Sequence, residues 1–72
     1  MKYPYSILIQ WSEDDQKYIA SLPEFGPYAH THGSTYAEAL EMAEEVLAMM
    51  IESYQELGKP LPQPQVVTLQ TT

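Results

Sequence analysis

From Tyr36 to Leu57 the apolar residues recur at helical spacing, and this stretch constrains what the rest of the chain can build. Tyr36, Ala39, Leu40, Ala43, Val46, Leu47, Met50, Ile51, Tyr54 and Leu57 form the stripe of a 3.6-residue period, with Glu41, Glu44, Glu45, Glu52 and Glu56 on the opposite side. Both ends carry stop signals. Thr35-Tyr36-Ala37-Glu38 reads as a capping box, in which the Thr35 hydroxyl accepts from the Glu38 N–H and the Glu38 carboxylate accepts from the Thr35 N–H. Gly58 suits the left-handed position after a helix, and Pro60 blocks continuation. The helix would be ~33 Å long at ~1.5 Å per residue. In a chain of 72 residues, its apolar stripe needs a surface that the residues before it must supply.

Those residues read as a small sheet. From Tyr3 to Trp11 the sequence alternates, with Tyr3, Tyr5, Ile7, Ile9 and Trp11 on one face. Pro4 has no N–H to give a ladder, so pairing is expected from about Tyr5 onward. Ser12 to Gln16 is a polar hairpin connection, and Lys17 to Leu22 a second strand with Tyr18, Ala20 and Leu22 on one face. Pro23 to Pro27 is a turn. Tyr28 to His32 is a short third strand ending at Gly33. After the helix, Lys59 to Pro64 holds alternating prolines and reads as a stiff extended connector. Gln65 to Thr72 is rich in Val and Thr, and is expected as either a last strand or a tail. Residues 1–72 are thus expected to form one α+β domain of order β-β-β-α-β, two layers with one long helix on one face of the sheet.

Composition narrows the function. Ten Asp and Glu face three lysines, Lys2, Lys17 and Lys59, with no arginine, for a formal charge of −7. Nucleic-acid binding needs clustered cations to neutralise phosphates, so direct contact with DNA or RNA is not expected. An acidic surface suits a basic protein partner, although acidity also serves plain solubility. The absence of cysteine excludes disulfides and thiolate metal sites. A domain this small generally needs some supplement to its core, which leaves association with a partner or with a second copy. No apolar run is long enough for a membrane span, and the N-terminus does not read as a signal peptide. A cytoplasmic location is the expectation.

Three constellations bear on chemistry. His30 and His32 share one face of a strand, but a bound metal needs three or four ligands and none nearby completes the set. They read as strand histidines, or as a contact sensitive to pH. Glu13-Asp14-Asp15 lacks the spaced oxygens of a calcium loop, and reads as a solvated turn able to meet a basic partner. The serines lie in no nucleophile-elbow context, and the glycines form no phosphate loop. No catalytic residue and no cofactor are assigned. The partner-binding candidates are Glu13, Asp14, Asp15 and Glu24 for charge, and Trp11, Phe25 and Tyr28 as aromatic anchors, each aromatic residue also reading as core and Trp11 especially so.

The segment from Tyr5 to Pro64 resembles the HicB family of antitoxins from bacterial type II toxin–antitoxin systems. The likeness is carried by YSILIQW (5–11), the acidic turn, KYIASLPEF (17–25), GSTYAEAL (33–40) and ELGKPLPQP (56–64), in that order. Phe25-Gly26-Pro27-Tyr28 stands where the family often has Pro-Gly-Cys, and Ser34 where it often has Asp. The resemblance implies a partial RNase H-like fold that caps a HicA-type toxin, a small basic ribonuclease. It implies no catalysis by this chain, in which no RNase H carboxylate set is recognisable. Many members also carry a C-terminal DNA-binding module; with eight residues after Pro64, a short form without it is expected. The competing expectation is an orphan homo-oligomeric regulatory or scaffold module that shares the fold but has no toxin partner.

Overall fold

The structure, a computed structural model, describes residues 4–26 and 29–66. Three strands, β1 (Leu8–Ser12), β2 (Lys17–Ser21) and β3 (His30–Gly33), precede one long helix, α1 (Tyr36–Glu56). The strands form an antiparallel sheet in the order β1-β2-β3, so β2 is central and the other two are edges. The α+β class, the sheet and the single helix agree with the sequence expectation. Among the described residues, no helix is long and apolar enough to cross a membrane.

Alternation decides which face of the sheet is covered. Ile9 pairs with Ala20 and Trp11 with Tyr18, and across the next ladder Ala20 meets Thr31 and Tyr18 meets Gly33. Ile9, Tyr18 and Ala20 pack with Ala39 and Ala43, so this register faces the helix. A second cluster, Leu22, Leu47 and Ile51, closes the other end with Tyr5, Ile7, Phe25, Ala29 and Val46 around it. Small residues bring the first half of α1 close to the sheet. At Gly33 the approach is tightest: a Cβ there would lie 2.5 Å from the Ala39 nitrogen and 2.9 Å from its Cα. The helix consequently sits over β3 and β2 and hardly reaches β1.

The helix ends are set by local chemistry. Thr35 is the N-cap, and its hydroxyl accepts from the Glu38 N–H at 3.0 Å. The Glu38 carboxylate accepts from the Ser34 N–H at 2.9 Å, one residue earlier than the box predicted from sequence. At the far end Gly58 adopts φ +67°. The Lys59 N–H then donates to the Tyr54 carbonyl at 2.9 Å and the Gly58 N–H to the Gln55 carbonyl at 3.2 Å, a Schellman closure. Leu57 is therefore the cap residue, not the last helical one.

All three strands differ from expectation: β2 ends at Ser21, one residue before Leu22, and the other two start late. β1 begins at Leu8, because the Ser6 N–H donates to the Glu24 carboxylate at 3.1 Å and cannot join the ladder. β3 begins at His30, because Ala29 is held in a turn by its N–H to the Gly26 carbonyl and its own carbonyl to the Leu22 N–H. The proline-rich segment folds back rather than projecting. Tyr5 Oη donates to the Pro62 carbonyl at 2.8 Å, and the Gln65 N–H donates to Glu24 at 2.9 Å. Gln65 and Val66 are not in a strand, and residues 67–72 of the expected last strand or tail lie outside the described residues.

Candidate protein-binding surface

The hairpin joining β1 to β2 turns through Glu13–Gln16, with Gln16 in the left-handed region at φ +53°. Its side chains tie the turn together. Gln16 Nε2 donates to the Glu13 carbonyl at 2.7 Å, and Ser12 Oγ lies 3.2 Å from Asp15 Oδ2 and accepts from the Asp15 N–H at 3.3 Å. Glu13, Asp14 and Asp15 are all exposed.

An aromatic ladder rises beside this turn. Trp11 meets Tyr18 edge-on at 5.0 Å between centroids, and Tyr18 meets Tyr36 in the same manner at 5.3 Å. Tyr18 packs against the alanine cluster, which roots the ladder in the core. Its two ends are open: Trp11 is 46% and Tyr36 58% exposed. Trp11 stays open because β1 is an edge strand that the helix scarcely covers. Trp11 Nε1 donates to Glu13 Oε1 at 3.2 Å, which fixes the indole and places a carboxylate at its rim. Leu40, 41% exposed, follows Tyr36 by one helical turn. The nearest lysine in sequence, Lys17, alternates with Tyr18 and so belongs to the opposite face. Stiff aromatic rings with a polar handle, rimmed by acid, can take up the stems and charges of Lys or Arg side chains.

The structure thus brings Trp11, Glu13, Asp14 and Asp15 together and puts Glu24 and Phe25 at the other end of the hairpin. Glu24 lies in a single 3₁₀ turn, Pro23–Phe25. Its carboxylate accepts from the Ser6 N–H, the Ser6 hydroxyl and the Gln65 N–H, all within 3.1 Å. Burial pushes this carboxyl up, but the hydrogen bonds from Gln65, Ser6 and its own N–H outweigh it and hold the group below its ordinary range. Its oxygens serve the fold, contrary to the sequence expectation of a loop charge offered to a partner. Phe25 stacks edge-on with Tyr5 at 5.0 Å and Tyr54 at 5.5 Å and packs on the Leu22 cluster, which makes it core. Tyr28 lies outside the described residues.

Tyr36 belongs to the apolar stripe read from sequence, yet at the first residue of the helix it is exposed on all but the side that meets Tyr18. Hairpin symmetry about residues 13–16 was the signal that could have set Tyr18 opposite Trp11. His30 pairs with Ser21 and His32 with Ile19, on the face turned away from the helix, and both are exposed. Among the described residues no three His, Asp or Glu side chains converge as metal ligands would.

The outer face of α1 carries charge that its own stability does not call for. Glu41 stands i,i+4 from Glu45 and i,i+3 from Glu44, Glu52 stands i,i+4 from Glu56, and no Lys or Arg lies on the helix. Each like-charge pair at i,i+4 costs about 0.2–0.5 kcal/mol in an isolated helix, and acids in the last turn also oppose the helix dipole.

No protein-family model, curated protein or solved structure matches this chain.

Proposed function

We propose that this chain is a protein-binding domain of the antitoxin type, which neutralises a small basic HicA-type ribonuclease by covering its active surface. The observation that carries the reading is the hairpin end: the open Trp11–Tyr18–Tyr36 ladder beside Glu13, Asp14 and Asp15. The carboxylates steer a basic partner and fix its orientation, which chiefly raises the association rate. The aromatic rings then give the contact its lifetime, since buried Trp and Tyr supply most of the binding energy in interfaces of this kind. A ribonuclease must present cations to hold phosphates, so an acidic cap competes for the groups that RNA would use.

Support also comes from the order of elements. Three antiparallel strands followed by one long helix agree with the start of the partial RNase H-like fold that the HicB resemblance implies. A cytoplasmic location goes with this reading, and no reaction is assigned to the chain. Sedimentation of the chain with and without a small basic protein encoded beside its gene tests the proposal. A stable mixed complex is expected. A self-associated species with no affinity for that protein would favour the orphan scaffold instead.

A further inference from the structure

A second surface lies along α1, turned away from the sheet. The residues that α1 buries are Ala39, Ala43, Leu47 and Ile51. On the other side Met42 is 40% and Met49 64% exposed. They stand seven residues apart, which brings them almost onto one line of the helix. Glu38, Glu45, Glu52 and Glu56 lie on the same line, interleaved with them in steps of four and three, so the two methionines are flanked by carboxylates. Alongside, Glu41, Glu44, Glu45 and Ala48 form an open, shallow surface on the same helix. The small Ala48 between glutamates leaves the relief that a partner's side chain could enter.

We propose that this face docks a basic amphipathic helix of a partner protein, with its apolar side on Met42 and Met49 and its lysines or arginines against Glu41, Glu45, Glu52 and Glu56. The chemistry selects that occupant. Methionine is flexible and polarisable, so it packs against varied apolar side chains. Met42 and Met49, at i and i+7, stand where two apolar anchors of a helix laid alongside would meet them. A second copy of this chain is a poor fit, because it would set glutamate against glutamate. Two methionines also fall far short of the ~800 Å² per partner of a stable interface, so opposite charge must do much of the binding. This surface shares no residue with the hairpin end, and the inference stands or falls apart from the antitoxin reading.

The test uses the full chain and a synthetic amphipathic peptide of Leu and Lys, with a scrambled peptide of the same composition as control. The methyl resonances of Met42 and Met49 are followed by NMR, together with the Trp11 indole N–H. The expected result is a saturable shift of both methionines with the amphipathic peptide and a much smaller one with the scramble. Glu45→Lys combined with Glu52→Lys should weaken binding by about tenfold or more, and far more than Asp14→Lys with Asp15→Lys, which changes the net charge equally but off this face. Equal shifts with the scrambled peptide, shifts at Trp11 alone, or indifference to the helix reversals would overturn the proposal. So would methionine shifts that grow with chain concentration in the absence of peptide, since the occupant would then be a second copy.

Discussion

Gly33 has no side chain, and the fold depends on that. Backbone atoms of Glu38 and Ala39 occupy the space a Cβ would need, and backbone cannot swing aside as a flexible side chain can. Gly33→Ala is expected to destabilise the domain by about 1–3 kcal/mol, the usual cost of overpacking, read as a lower urea midpoint. Glu24 matters through its charge. Its depressed carboxyl stabilises the fold at pH values above its unfolded-state value of about 4.3, and the contribution is lost as pH falls through the lower folded value. The stability difference between the wild type and Glu24→Gln, measured by urea unfolding, should therefore be flat above about pH 5 and shrink on acidification. A difference unchanged down to pH ~3 would contradict this role. The sequence did not disclose it, because the donors to Glu24 sit 18 and 41 residues away.

At the scale of the elements, the ends of α1 are legible to within a residue, since its Thr35 cap and Gly58 closure are local signals, whereas Tyr36, Leu40 and Leu57 of its apolar stripe lie exposed. The same chemistry gives predictions. Thr35→Ala removes the acceptor for the Glu38 N–H and should cost about 1 kcal/mol in chemical denaturation. Glu56→Lys should have the opposite sign. It replaces a repulsion of Glu52 by an attraction and puts a cation at the helix C-terminus, for a gain of about 0.5–1 kcal/mol that fades at high salt. The strand starts were less legible, because they depend on contacts distant in sequence. Tyr5 and Ser6 continue the alternation of β1, but the returning proline-rich segment and Glu24 claim their polar groups. Periodicity identifies the face a residue prefers, and not what competes for its N–H.

For the whole molecule, composition leaves a basic partner and plain solubility both open, and the surface at the hairpin is half legible from sequence. Trp11, Glu13, Asp14 and Asp15 were picked out from sequence and cluster in space. Tyr36 was not, because its exposure is a property of packing that the apolar period does not carry. The domain is acidic, with an exposed aromatic ladder at one end and a core at the other that Glu24 and Phe25 hold closed. The proposal to test is that the hairpin end neutralises a basic ribonuclease. The most direct test is to assay any small basic protein encoded beside the gene for ribonuclease activity and to titrate that activity with the wild-type chain and with a Trp11→Ala, Asp14→Lys, Asp15→Lys variant of confirmed fold. The account expects the wild type to abolish activity stoichiometrically and the variant to need a large excess. Unchanged activity with the wild type, or equal inhibition by the variant, would contradict it.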